Sequence, residues 1–365
     1  MIVLGIESSC DETAASIVID GHDVRANVVS SQVKKHAEYG GVIPELAARE
    51  HLKAIDPIVQ LALREANLSK SDLDAVSVTA TPGLLPALLV GITYAKGLAA
   101  SLKVPFIGIN HMIGHIYGAF IESPEMLKPD AFPVLALIVS GGHTMLMIIH
   151  EDGACELVGQ TIDDAAGEAF DKAAKILHLP YPGGPVIDKL AKQGNPAAIN
   201  FPRALTGASG NPLKPEHKYN FSYSGVKTAL LYNARKDAIN GDETLREMSD
   251  DEFHDLVASY QEAVVDILVR KTGWVARDYN ARSLVVCGGV ACNSRLRTLI
   301  KELADEHHLA LLIAPPKYCT DNAAMIAGLS YYYLRHGATS DWQLDATPRI
   351  GRIRQVPFAP AYKQS

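Results

Sequence analysis

Two stretches of the 365-residue chain follow one pattern, and that repetition constrains the fold more than any single motif does. Residues 2–6 are an apolar run that meets the polar turn Glu7, Ser8, Ser9, Cys10, Asp11, Glu12 and Thr13, then continues into a second apolar run ending at Ile19. Residues 134–139 do the same, passing through Ser140, Gly141, Gly142, His143 and Thr144 into 145–149. Apolar runs of this length, bounded by small polar residues, are strands, and a short link between two of them makes a hairpin. A hairpin opening each half of the chain points to an internal duplication.

A third strand, 284–287, enters Gly288 and Gly289 and then a helix carrying Arg295 and Arg297, an arrangement that presents backbone N–H groups to a nucleotide. Helical spacing is plain at 41–66, 84–102, 164–177 and 250–279. In the last of these Phe253, Leu256, Val257, Tyr260, Val264, Ile267 and Leu268 recur at steps of three and four. Alternating strands and helices predict an α/β class. The length exceeds the ~100–200 residues usual for one domain, so two are expected. They are an N-terminal domain over 1–125, with residues 325–350 returning to it, and a C-terminal domain over 130–325. Residues 123–133 serve as the crossover. The Pro-, Gly- and Asn-rich insertion 194–222 reads equally well as a functional loop or a plain one.

Composition narrows the class. With 48% apolar, 21% charged and 7% aromatic residues, the chain is neither disordered nor fibrous. The 34 Lys and Arg against 41 Asp and Glu leave a net charge of -7, so contact with a polyanion requires a local basic patch or a partner. Five scattered cysteines without a CxxC pair suit a reducing compartment. The N-terminus lacks the basic region of a signal peptide, and the apolar stretch 84–95, interrupted by Pro86 and Gly91, falls short of the ~20 residues of a span. A cytoplasmic protein with no membrane contact is expected, the stretch being a buried helix.

Chemistry-bearing residues cluster in five places. His111 and His115, at i and i+4 behind the helix-capping Asn110, can aim both imidazoles at one point, which is metal-ligand spacing; simple packing or capping is the alternative. Met112 stands where a zincin HExxH motif has its general-base Glu. A carboxylate from elsewhere would complete a His/His/carboxylate set, and Asp321, at the start of an apparent helix, can fill that role or act as an N-cap. The glycine turns at 140–142 and 183–184 can cradle an anion or merely turn the chain. Asp163, Asp164, Glu168 and Asp171 are either helix-start acids or ligands for ribose hydroxyls and substrate, a set that Asp188 extends. Residues 221–228 (FSYSGVKT), following Lys214, His217 and Lys218, suit either a nucleic acid or a solvated loop.

Together these segments resemble the TsaD family, the tRNA N6-adenosine threonylcarbamoyltransferases once described as O-sialoglycoprotein endopeptidases. The resemblance spans about residues 2–350. It rests on 5–13 (GIESSCDET), 111–115 (HMIGH), 139–144 (VSGGHT), 167–172 (GEAFDK), 181–185 (YPGGP), 221–225 (FSYSG), 288–291 (GGVA) and 320–322 (TDN). It implies an actin/sugar-kinase/Hsp70-like fold, two RNase H-like halves around a nucleotide cleft. It also implies transfer of a threonylcarbamoyl group from threonylcarbamoyl-AMP to N6 of adenine 37 in tRNAs reading ANN codons. His111, His115 and Asp321 are the implied ligands of one divalent metal, Fe2+ or Zn2+. Ile138, Val139, Ser140, Gly141, Gly142, Asp171, Gly184, Asp188 and Asn293 are the implied site for the adenylate. Archaeal members have a Tyr metal ligand where Ile138 stands, and the FSYSG and YCTDN segments look like the bacterial and organellar branch, which works with TsaB and TsaE.

Such a transfer must remove a proton from N6, for which Asp11 and Glu12 are the expected base or orienting groups. Lys34, Lys35, Lys214, Lys218, Lys227, Arg295 and Arg297 are the expected phosphate contacts. A metalloprotease and an ATP-binding sugar-kinase-like protein are the competing expectations.

Overall fold

The uninterrupted apolar run of β1 (Ile2–Glu7) requires a strand covered on both faces, and β1 is the middle strand of a five-stranded sheet. The chain continues through β2 (Glu12–Ile19), β3 (Asp23–Ser31), α1 (Val33–Ala37), α2 (Pro44–Glu65), β4 (Ala75–Thr81), α3 (Leu85–Leu102), β5 (Phe106–Asn110) and α4 (His111–Gly118). The strand order is β3-β2-β1-β4-β5. β1 runs antiparallel to β2 and parallel to β4, which is parallel to β5. Then follow β6 (Val134–Val139), β7 (Thr144–Ile149), β8 (Cys155–Gln160), α5 (Ala166–Ile176), α6 (Gly183–Ala191), α7 (Ser224–Ala234), α8 (Asp250–Asp278), β9 (Ser283–Cys287), α9 (Ser294–Glu306) and β10 (Ala310–Ile313). The second sheet, ordered β8-β7-β6-β9-β10 with β6 parallel to β9 and β9 to β10, repeats the order of the first. The chain closes with α10 (Pro316–Cys319) and α11 (Ala324–Arg335). This computed structural model describes residues 1–39, 41–207, 213–241, 243–350, 353 and 355–363; residues 208–212 of the insertion lie outside the described residues.

Two compact units result: Met1–Asp130 with Ile149–Cys155 and Ala314–Ser365, and Ala131–Ile148 with Glu156–Ile313. The return to the first unit begins at Ala314, earlier than the residue 325 read from the sequence, so Asp321 belongs to the unit that contains the histidines.

In the first unit, Ile55, Ile58, Val59 and Ala62 form the buried stripe of α2, packed with Leu4, Ile6, Val76, Val78 and Ile92. Among the described residues one helix, α3, is long and apolar enough to cross a membrane by length and composition. Ile92, Ala95, Leu98 and Ala99 on it are nevertheless part of this core. After α11, residues 338–349 form a strap. Ser340 N–H donates to Phe106 O (2.9 Å) and its hydroxyl accepts from Gly108 N–H (3.0 Å), while Trp342 stacks on Phe106 at 5.0 Å. Lys96 Nζ donates to Trp342 O (2.7 Å) and Leu344 O (2.6 Å).

The second unit is organised by α8, whose start is fixed by a capping box: Ser249 Oγ accepts from Glu252 N–H, and Glu252 accepts from Ser249 N–H. Lys271 on α8 is fully buried, and its ammonium donates to Leu205 O, His217 O and Lys218 O, tying the insertion to the helix. Burial pushes the amine down to about 8. An unfolded lysine titrates near ~10.4, so between these values the unfolded chain binds more protons and stability rises with pH. Urea titrations at pH 7.5 and 10 should therefore show wild-type stability gaining on Lys271→Met by roughly 2 kcal/mol. An unchanged difference between the two proteins would contradict this.

Candidate functional site

The short helix α4 begins where Asn110 Oδ1 accepts the N–H groups of Met112 (2.9 Å) and Ile113 (3.3 Å). Its first turn carries His111 and His115 on one face, both buried. Asp321 arrives from the turn between α10 and α11. It does not cap α11: Asn322 does so, its Oδ1 accepting from Met325 N–H (3.1 Å) and its Nδ2 donating to Thr320 O (2.8 Å). The Asp321 carboxylate is left for the histidines. Its Oδ1 lies 3.1 Å from His115 Nε2 and 3.4 Å from His111 Nε2, and the two Nε2 atoms are 3.1 Å apart.

Glu7, at the end of β1, sets the orientation of His111. Its buried carboxylate accepts from Thr79 Oγ1 (2.5 Å) and Ser9 N–H (2.6 Å), and Oε2 takes the proton of His111 Nδ1 (2.9 Å). His111 Nε2 is thereby turned toward His115 and Asp321. Three electron-rich atoms in so small a triangle repel one another unless positive charge lies among them. Burial opposes charge on His111, yet Glu7 and Asp321 raise its pKa well above the usual imidazole value. The same attraction, again against burial, draws Glu7 and Asp321 below the usual carboxylate range. A divalent cation supplies that charge without a proton, and the triangle's edges are those of ligands ~2.1 Å from one ion. Among the described residues, His111, His115 and Asp321 are the group able to share a metal.

The turn bearing Asp11 and Glu12 is braced from α2. His51, fully buried, donates from Nε2 to Cys10 O (2.9 Å) and accepts at Nδ1 from Thr13 Oγ1 (2.7 Å). Burial, reinforced by the charges of Asp321 and Asp11, pushes the Glu12 carboxyl up to about 9. Glu12 Oε1 accepts from Ser31 Oγ (3.0 Å). Burial, together with Asp11 and Asp321, also raises the Cys10 thiol, which makes it a poor nucleophile.

In the second unit, Ile138 and Val139 end β6, and the loop that follows is closed by Ser140 N–H donating to His143 O (2.8 Å) and His143 N–H to Ser140 Oγ (3.1 Å). Gly141 and Gly142 are exposed, with open space where a Cβ would stand. The loop lies against Gly167 of α5, where a Cβ would come within 2.6 Å of Ser140 O and 2.8 Å of Gly141 Cα. A turn further along α5, Asp171 Oδ1 accepts from Gly183 N–H (2.7 Å), placing Gly184 at the N-terminus of α6. On α6, Asp188 Oδ1 accepts from Ser294 Oγ (2.7 Å) and N–H (3.1 Å). Beside it Asn293 caps α9 through Leu296 N–H (2.9 Å) and donates to Gln261 Oε1 (2.8 Å). The second-unit residues implied by the resemblance thus share one chain of contacts running from loop to α5, α6 and α9.

Two expectations change. Asp163 and Asp164 are not free helix-start acids. Asp163 accepts from Ser222 Oγ (2.5 Å) and Tyr223 N–H (2.8 Å), and Asp164 binds Lys172 and Lys227 at 2.6 Å each. The segment 221–223 is correspondingly buried, not a solvated loop. Five of the seven expected phosphate contacts are also engaged: Lys35 with Glu50, Lys218 with Asp278, Lys227 with Asp164, Arg295 with Glu262, and Arg297 with Ala291 O.

The family model for TsaD, tRNA N6-adenosine threonylcarbamoyltransferase, matches residues 23–328. The chain belongs to this family. Proteins carrying that name from Thermosipho africanus and Trichlorobacter lovleyi are each 47% identical to it, covering 96% and 98% of this chain and 99% and 100% of their own lengths. The chain is accordingly an acyltransferase that modifies tRNA. TsaD proteins are metal-dependent, which agrees with the His/His/Asp group. The fold is of the actin/sugar-kinase/Hsp70 type. It resembles HypF from T. kodakarensis (TM-score 0.55, 14% identity, 92% of this chain and 48% of that one). It also resembles the ADPNP-bound activator of 2-hydroxyisocaproyl-CoA dehydratase from Clostridium difficile (TM-score 0.51, 14% identity, 92% and 97%).

Proposed function

We propose that this TsaD chain transfers the threonylcarbamoyl group of threonylcarbamoyl-AMP to N6 of adenine 37 in tRNAs reading ANN codons, in the cytoplasm, together with TsaB- and TsaE-type partners. The observation that carries the reading is the convergence of His111 Nε2, His115 Nε2 and Asp321 Oδ1 in a chain of this family. These three residues hold one divalent cation, and iron and zinc both accept such a donor set. When bound, the cation supplies Lewis-acid charge for an oxygen of the donor.

The chemistry asks for positioning more than for a nucleophile on the enzyme. N6 attacks the carbamoyl carbon of a mixed anhydride, the bond from that carbon to the phosphate oxygen breaks, AMP leaves, and N6 loses a proton. Gly141 and Gly142 present backbone N–H groups to the phosphate, and Ile138, Val139, Ser140, Asp171, Gly184, Asp188 and Asn293 complete the adenylate site. Asp11 orients the amine or takes its proton, and Glu12, whose raised pKa keeps its carboxyl protonated at neutral pH, orients the amine, their turn being held by His51. A protease reading lacks its base: Met112 occupies the general-base position, and Glu7 is committed to His111, Ser9 and Thr79.

The test is reconstitution with tRNA, threonine, bicarbonate, ATP, the adylate-forming enzyme and the partner proteins. Threonylcarbamoyladenosine by mass spectrometry is expected, lost on chelation and restored by metal. Its absence under these conditions refutes the proposal, and chelator-sensitive cleavage of a glycoprotein would favour the protease.

A further inference from the structure

A carboxylate-rich centre in a chain of net charge -7 has to receive a polyanion. Glu7, Asp11, Glu12 and Asp321 all belong to the first unit, and none of them favours an approaching phosphate. The cations read from the sequence are largely spent within the fold, as described above. Another cation stands on the strap.

The last described turn of the strap is fastened to the connection between β4 and α3. Thr347 N–H donates to Ala80 O (3.0 Å), Gly83 N–H to Pro348 O (3.3 Å), and Thr81 Oγ1 to Arg349 O (3.0 Å). That connection also supports the candidate metal centre. Thr81 is the register partner of Asn110, the residue that caps the histidine helix, and Leu84 N–H donates to Ser9 O (2.7 Å). Ser9 Oγ in turn lies 3.3 Å from His111 Nδ1. Arg349 is therefore held through its carbonyl to the connection that also supports the centre, while its side chain is exposed and has no ion-pair partner among the described residues.

We propose that Arg349 binds a backbone phosphate of the tRNA anticodon loop beside the acceptor adenine, an inference that rests on the tRNA-modifying reading. A guanidinium presents a fork that matches phosphate oxygens, and it stays charged at every working pH. The strap is already held by Lys96, Ser340 and Trp342, so little chain ordering is left for the moment of binding. A phosphate contact positions without reading bases, so its loss weakens all substrate tRNAs alike.

The experiment compares Arg349→Ala, Arg349→Lys and Arg349→Glu with wild type in the reconstituted full-chain reaction, across a salt series. With Arg349→Ala, KM for tRNA should rise about tenfold at low salt, with kcat at saturating tRNA and bound metal unchanged. The salt slope of log(kcat/KM) should fall by about 0.7. Arg349→Lys should recover the slope, and Arg349→Glu should be worse than Arg349→Ala. An unchanged KM and slope in Arg349→Ala would overturn the proposal. So would a loss confined to kcat or metal content, which would mark the strap as structural only. Wild-type activity in the same assay separates either failure from a failure of the tRNA reading itself.

Discussion

His115→Ala is expected to give a protein purified without a divalent cation and inactive in tRNA modification, with its fold retained. The imidazole is fully buried, and its Nε2 lies 3.1 Å from each of the other two donors, so its removal leaves two ligands facing a hole of their own making. Glu7 cannot replace it, because its carboxylate is held on the Nδ1 side of His111 by Thr79 and Ser9. A graded control comes from Glu7→Gln, which keeps all three ligands but loses the charge that orients His111; metal affinity there should fall by only ~10–100-fold. Elemental analysis of protein purified without added metal measures both. Full occupancy in the His111→Ala/His115→Ala double variant would remove these residues from the metal site.

The second large effect concerns a residue with no side chain. Gly5 lies at the middle of β1, where α11 crosses so closely that a Cβ would meet Ala323 O and come within 2.8 Å of Ala327. Backbone cannot move aside as a flexible side chain can. Gly5→Val should therefore destabilise the first unit by about 3 kcal/mol or more. Gly5→Ala should cost less, yet it still pushes α11, and with it the preceding Asp321, away from the histidines. The variant is thus expected to lose metal before it loses its fold. Thermal unfolding followed with metal content tests this; a Gly5→Val protein as stable as wild type would show that the helix has room to move.

What could be read in the sequence was local. The two hairpins declare themselves within twenty residues each, and the Asn110 cap with His111 and His115 lies within two turns of one helix. What spacing alone could not reach depends on distance along the chain, and it was the family resemblance that joined Asp321 to the histidines. Glu7 reaches His111 across 104 positions and His115 meets Asp321 across 206, and no spacing rule operates over such intervals. The signal for Glu7 was nonetheless present: a carboxylate ending a wholly apolar strand must find a partner when buried. Asp321 and Asn322 are adjacent and both able to cap, so only the folded turn decides which one caps and which turns inward. The acids at 163 and 164 looked like dipole partners because their true partners, 222, 223 and 227, come some sixty residues later. In the same way, the paired lysines could not be told from free ones.

The return of the chain at Ala314 also has a bearing on how the protein is made. A ribosome releases the first sheet and both histidines long before it reaches residue 321, and the whole of the second unit is synthesised in between. Until the last segment emerges, the surface around Gly5 lacks the helix that covers it, and a nascent chain can offer an ion two imidazoles but no third donor. Any chain ending prematurely in the second unit is therefore unable to assemble the three-donor centre, however well its first sheet has folded. The group of three donors comes together only once the segment carrying Asp321 has joined the first unit.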